Sequence, residues 1–390
     1  MEKQHFLEID LILSALNFFV HFESGQAEPL QRKVKAISDW GSAITLASRH
    51  RVLPFVTLAL DKAGAFKDIP AETRALMEKD VQQAVLDNRV KMAEFRKYSR
   101  YFEDAGIPVI PLKGIALTQT VYKETPVRRM GDIDLLIKEK DVPVVHRILE
   151  GQNFFIPPLI NRWHTGINER IGGKGSRVRG DIDIDLQWRP LLFIEGEFAV
   201  WLPEEGWQNA KQCPSLGSNV YLLSPSCLAS HLLFQAGHDF SQDYLFLYQL
   251  LDLALVINKH RLQTEEFLKR EAALEPASRK ILQKLIKTIV EFFSQPCELM
   301  NCSKDAQTIY MAIVCSALVP KNKLFFTKVT KLRALSVREK IFMTLGYFFP
   351  EPRYVLLKYG QGMRAFWIGW KNHWIRLIGK LFKVATGRFK

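Results

Sequence analysis

The sequence predicts an α+β protein, a small mixed-sheet core flanked by N-terminal and C-terminal helical regions. Three observations carry that prediction. Residues 1–105 and those beyond Ser224 place apolar side chains at helical spacing. Between them, short β-rich runs alternate with short helical ones, the order that builds a sheet with helices packed on it. Two of those runs, "DIDLLI" (132–137) and the centre of "RVRGDIDIDLQWRP" (177–190), alternate acidic and apolar residues with a period of two, the pattern of a strand with one polar face.

The elements follow in order. "MEKQHFLEIDLILSALNFF" carries Glu8 and Asp10 inside an apolar run and reads as an amphipathic helix rather than a secretory signal. "SDWGSAITLASRHRVLPFVTLALDKAG" offers Ser38 or Asp39 as a helix cap, and Pro54 should begin a second helix. "PAETRALMEKDVQQAVLDNRVKMAEFRKYSRYFEDAG" reads as one long helix, with Pro70 near its start and Gly106 after its end. Then come a short strand at "IPVIPL" (107–112), a helix at "GIALTQTVYKE" (114–124), the strand 132–137 and a helix at "EKDVPVVHRILEGQN". Segment 177–190 is a strand entered from the loop "GGKG" (172–175), which lacks the context and glycine spacing of a Walker-type phosphate loop. Apolar helices return at "SPSCLASHLLFQAGHD" and "YLFLYQLLDLALVINKH", and amphipathic ones continue to about residue 318. The chain thus divides into an N-terminal helical region (1–105), an α/β core (106–215), a second helical region (216–330) and a basic amphipathic tail (331–390).

Composition narrows the class. Apolar content of 47% in 390 residues supports a sizeable core, and no run reaches the roughly 18 uncharged apolar residues of a spanning helix. Five cysteines without a CxxC pair fit a reducing cytosol better than a disulfide framework or structural zinc. The net charge of +13 is concentrated at one end: residues 320–390 hold sixteen Lys/Arg and two acids, so the rest of the chain is near neutral.

The chemistry gathers in the acidic strands. Asp132 and Asp134 point to one face, with Ile133 and Leu135 on the other. Two adjacent carboxylates repel unless a cation lies between them, and magnesium takes a few carboxylates while leaving room for phosphate oxygens. A third carboxylate comes from Asp181, Asp183 or Asp185, which alternate along the later strand. Upstream, Lys113-Gly114 leads into a helix whose N-terminus offers free N–H groups to an anion, and Gly114 lets a phosphate approach the backbone. Arg128, four residues before Asp132, is placed to bind phosphate or to anchor the loop, and Arg129 reads as a loop solubiliser. His231 and His238 lie two turns apart on one helix face, which reads as packing rather than ligation.

"LKGIAL…VYKETPVRRMGDIDLLI" resembles the signature of the uncharacterised bacterial nucleotidyltransferase family, within the DNA polymerase β-like superfamily. A related version occurs in AbiEii-type toxin nucleotidyltransferases. "DWGSAITLASRHRVLPFVTLAL" is similar to the family's N-terminal helical segment, "IDLQW" to its "VDLHW" strand, and "LASHLLFQAGHD…LLDLALVI" to its later helices; together these span roughly residues 35–260. The resemblance implies a small nucleotidyltransferase core that moves a nucleoside monophosphate from an NTP to an acceptor hydroxyl, with magnesium, or manganese in its place, as cofactor. It makes Asp132, Asp134 and Asp185 the metal-binding and catalytic carboxylates. Lys113, Gly114 and Arg128 become the nucleotide-binding residues. The acceptor class (sugar, protein, RNA or small molecule) stays open. Two positions depart from the family pattern: Ile115 follows Gly114, and Gln187 stands where "DLHW" has His. They motivate a second class of function, a non-catalytic nucleotide-binding or scaffold protein on the same fold; the AbiEii-like element motivates a third, toxin-like modification of tRNA or protein.

In the tail, residues 361–384 form a helical pattern with Trp367, Trp370 and Trp374 on an apolar arc and Arg376, Lys380 and Lys383 opposite. Such a helix suits an anionic membrane surface, a docked position on the protein's own body, or nucleic acid or an acidic partner protein. The expected location is cytoplasmic, with a peripheral place at the inner membrane face.

Overall fold

The computed structural model describes residues 6–22, 27–156, 173–189, 203–241, 245–263 and 276–293, with shorter pieces between and beyond them. The tail helix 361–384 falls outside the described residues except for Trp370–Asn372. Among the described residues no helix is long and apolar enough to cross a membrane.

Helices α1 (Phe6–Val20), α2 (Glu28–Ala36), α3 (Trp40–Arg49) and α4 (Leu53–Lys62) lead into α5 (Ala71–Asp104), a 34-residue rod. Local chemistry sets their limits. The Asp39 carboxylate accepts from the Ser42 N–H at 2.9 Å and caps α3, and Pro54 sits in the first turn of α4, where no N–H is needed. Gly106 takes φ +67° just after α5 ends. The amphipathic expectation for α1 is corrected: the helix is buried nearly all round, Glu8 and Asp10 included. Asp10 tolerates this by pairing with Lys33 of α2.

The sheet is mixed. Strands β1 (Ile110–Pro111), β2 (Ile133–Leu136), β3 (Lys174–Arg179) and β4 (Ile182–Gln187) lie in the order β1-β2-β4-β3, with β2 and β4 parallel and the other pairs antiparallel. Helix α6 (Lys113–Thr120) joins β1 to β2, and α7 (Val142–Gly151) follows β2. Segment 177–190 is corrected from one strand to part of a hairpin. Gly180, at φ +58°, turns β3 into β4, and Asp181 sits in that turn rather than on the strand face. Lys174 and Gly175 of "GGKG" belong to β3. Gly173 is there for close approach: a Cβ would lie 2.0 Å from the Arg189 carbonyl oxygen.

Beyond the sheet come small pairs β5 (Leu191–Ile194) with β6 (Glu197–Val200) and β7 (Lys211–Gln212) with β8 (Tyr221–Leu222), separated by α8 (Pro203–Gln208). Then follow α9 (Pro225–Ser241), α10 (Leu247–His260) and α11 (Pro276–Phe293). Two cores result. Ile133, Leu135, Ile184 and Leu186 bury one sheet face against Phe95, Tyr98 and Phe102 of α5 and Val145 and Leu149 of α7. A larger core joins α1, α3 and α4 to α9, α10 and α11, so helices from both ends of the sequence share one apolar interior, which Leu136 and Leu112 also enter. The opposite sheet face, carrying the aspartates, looks toward that body.

Candidate active site

β2 and β4 run in parallel, and their register sets Asp134 directly beside Asp185. Asp132 lies at the mouth of β2 and Asp183 on β4, each two residues from a partner and therefore on the same face. The structure thus gathers four carboxylates on two neighbouring strands. Asp183 was one of three candidates on the later strand in the sequence, and only the strand pairing shows that it joins the group.

Three side-chain donors hold the group. Lys113 Nζ lies 2.6 Å from Asp134 Oδ1. Gln187 Nε2 donates to both Asp134 Oδ1 (3.1 Å) and Asp185 Oδ2 (3.2 Å), bridging the two strands. Ser176 adds a hydroxyl 3.3 Å from Asp185 Oδ1. One buried carboxylate oxygen, Asp183 Oδ1, has no hydrogen-bond partner among the described residues.

The electrostatics follow from burial and crowding. Desolvation and the neighbouring Asp134 charge raise Asp132 above the usual carboxylate range, against the pull of Lys113. Burial likewise raises Asp134, with Lys113 opposing and Asp185 adding to the shift. Asp183 is pushed up to about 6, by burial first and then by Asp132 and Asp185. Burial works against the Lys113 ammonium, yet Asp134, Asp132 and Asp185 outweigh it and hold the proton firmly in place. Among the described residues no three His, Cys, Asp or Glu side chains are drawn together tightly enough to share a metal ion in this arrangement. Lys113 is the cation that meets Asp134.

The other predicted site residues are placed differently. Lys113 opens α6 from a left-handed backbone conformation, φ 44°, an unusual one for a side chain this long. Gly114 packs against the approach loop: a Cβ there would meet Met130 Cγ at 2.6 Å and Arg128 Nη1 at 3.2 Å, so the space beside it is filled by Met130. Ile115 is fully buried in the sheet core. Arg128 is buried and faces Asp252 of α10, with Nε 2.9 and 2.8 Å from its two oxygens and Nη2 2.7 Å from Oδ2. Tyr122 donates to the same carboxylate at 2.8 Å. Arg129 pairs with Asp80 and Asp87 of α5, while Asn88 of α5 donates to the Pro126 carbonyl and accepts from the Met130 N–H. Of the two roles open to Arg128 in the sequence, the structure shows the anchoring one. It and Arg129 tie the 121–131 loop to helices on either side, fixing the path by which the chain enters β2.

His231 of α9 is fully buried. Its imidazole is held down to about 3, by burial first and then by the Lys113 charge, so it is neutral in the folded protein. His238 is part-buried on the same helix.

Residues 37–294, more than half of the chain, match the family described as "Uncharacterised nucleotidyltransferase", and the chain belongs to that family. No curated protein and no solved structure matches it.

Proposed function

We propose, from that membership, that the protein transfers a nucleoside monophosphate from an NTP to the hydroxyl of an acceptor, using a magnesium ion. The observation that carries the reading is the side-by-side register of Asp134 and Asp185 on parallel strands, with Asp132 and Asp183 on the same face. The donor set fits a hard divalent cation: carboxylates raised by burial and mutual repulsion, and one buried Asp183 oxygen without a partner, gain from a second positive charge. Asp132 and Asp134 would hold the metal with Asp185 beside them. The bound ion would supply Lewis-acid polarisation of the phosphate oxygens.

The chain's own groups do the rest. The acceptor oxygen attacks the α-phosphorus, the bond to the bridging oxygen breaks, and pyrophosphate leaves. Asp185, at the open side of the pair, takes the hydroxyl proton. Gln187 keeps Asp134 and Asp185 aimed at one point. Lys113 releases Asp134 and turns its ammonium to the phosphates. The test uses the full chain with α-labelled ATP, CTP, GTP and UTP, magnesium and cell lysate. Label should pass to one molecular class, with pyrophosphate released, and the Asp132→Ala/Asp134→Ala variant should transfer none. Equal labelling by the variant sinks the reading.

One observation favours a second reading. Lys113 already neutralises Asp134, as a lysine would in a protein that binds nucleotide or serves as a scaffold without turning over. Nucleotide binding without pyrophosphate release from any NTP would establish it.

A further inference from the structure

Besides the metal and Lys113, the triphosphate of the proposed reaction, with its several negative charges, calls for a further cation, and Arg128 is committed to Asp252. We infer that Arg51, which lies outside the acidic strands and the Lys-Gly element, is the arginine that grips the phosphate chain. This inference rests on the nucleotidyltransferase reading above.

The placement is built by the fold. α3 ends at Arg49, α4 begins at Leu53, and the corner between them is pinned: buried His50 accepts from the Leu247 N–H through Nδ1 at 3.3 Å. Arg51 itself adopts φ 56°, a left-handed conformation that a long side chain takes only when its surroundings enforce it. The corner therefore projects Arg51 over the start of α10. Its guanidinium carbon lies 5.9 Å from the Phe246 ring centre and 5.7 Å from that of Tyr248, two rings stacked 6.2 Å apart. Aromatic faces hold a guanidinium in place while leaving its N–H fork free for a phosphate.

The direction is toward the site. A methyl group added at Gly131 would sit 3.7 Å from Arg51 Nη1, and the next residue is Asp132. Tyr248 lies between: Arg128 stacks on it at 5.2 Å, and Lys113 and Arg51 both act on its phenol. Arg51 is exposed, and among the described residues no carboxylate pairs with it. A buried structural arginine such as Arg128 closes its charge on an acid; Arg51 presents its charge to solvent beside Gly131, the residue before Asp132. Planar, bidentate phosphate recognition is the chemistry this suits.

Isothermal titration of the full-length wild type, Arg51→Asn and Arg51→Lys, in magnesium, tests it. The ligands are inorganic tripolyphosphate, which is independent of base preference, and the four NTPs and NMPs. Asparagine tolerates the left-handed corner, so the fold is kept. Arg51→Asn should weaken tripolyphosphate and NTP by about 10- to 100-fold, the loss of a charge-assisted pair, and leave any NMP affinity within about twofold. Arg51→Lys should recover part of the loss. A proportional loss for all ligands with a lowered melting temperature would mark a structural role and overturn the inference. So would Arg51→Asn binding tripolyphosphate as wild type does; that outcome leaves the nucleotidyltransferase reading standing. Wild type that binds neither tripolyphosphate nor any NTP removes both.

Discussion

Two of the places where this molecule buries charge balance it in opposite ways. At the junction of the 121–131 loop with α10, Arg128 meets Asp252 through three short contacts, and Tyr122 adds a hydroxyl. One positive and one negative charge close the account, with every strong lone pair directed at a donor. On the sheet face, four aspartates meet the Lys113 ammonium, the Gln187 amide and the Ser176 hydroxyl, with Lys91 acting on Asp183. Burial and repulsion raise three of those carboxylates, and an oxygen of Asp183 is left over. A closed pair fixes architecture, whereas a surplus of one sign can take up a ligand of the other. The two lie close enough for Arg128 to act on Asp132 and Asp134, so the first supports the second by fixing the entry into β2.

The comparison breaks most sharply on stability. Asp252→Ala strands the buried Arg128 charge and should cost about 3–5 kcal/mol in denaturant unfolding. Asp134→Asn removes one charge from a crowded group and leaves Lys113 with Asp132 and Asp185, so it should move stability by less than about 1 kcal/mol. Equal losses in the two variants would show that the acidic face is as structural as the Arg128 node.

Acid sharpens it next. His231 is held at about 3 in the fold against 6.5 in the unfolded chain, with Lys113 as its charged neighbour. As pH falls below 6.5 the unfolded chain takes the proton first. Stability is therefore complete above that pH and is lost progressively toward pH 3, by roughly 2 kcal/mol between pH 6.5 and 5. Half-buried His146, lowered to about 4 by burial and Arg177, tilts the curve the same way. The carboxylates raised on the sheet face, Asp183 at about 6 among them, act in the opposite sense over the same range, so the His231 contribution is the difference between wild type and His231→Asn in urea unfolding at pH 7 and 5. The variant should lose less toward pH 5 than wild type does; equal slopes would place the loss elsewhere.

The smallest expected effect is at Gln187. Replacing it by Leu removes the donor shared by Asp134 and Asp185, and the two carboxylates lose their common aim. The rate of nucleotide transfer should drop about tenfold, near 1.4 kcal/mol, with NTP affinity little changed. Gln187→His, which restores an N–H donor there, should keep more activity than Leu. An active Leu variant would reduce Gln187 to strand packing.

Much of this was legible in the residues. The period of two in "DIDLLI" placed Asp132 and Asp134 on one face; Pro70 and Gly106 bracketed α5; Asp39 capped α3. Local rules suffice there because each signal acts within a turn or a pleat. Other features were illegible for a physical reason. The split of 177–190 into a hairpin hung on Gly180 adopting a positive φ, which the alternating pattern around it concealed. The burial of α1 hung on sharing its core with α11, whose Phe292 carbonyl accepts from Asn17 across 275 residues, and on Lys33 meeting Asp10; the partner of Arg128 lay 124 residues along the chain.

The sequence by itself determined a class and a chemistry: a helical protein around a small sheet, with carboxylates alternating along two of its strands. That much follows from side-chain periodicity, which is local. Which arginine meets a carboxylate and which lies over aromatic rings, that Asp183 joins the group, and what the lysine touches were decided by tertiary structure. They depend on parallel pairing and on helices meeting across the core, where contacts between distant residues, rather than neighbours in sequence, set the energy of a buried charge.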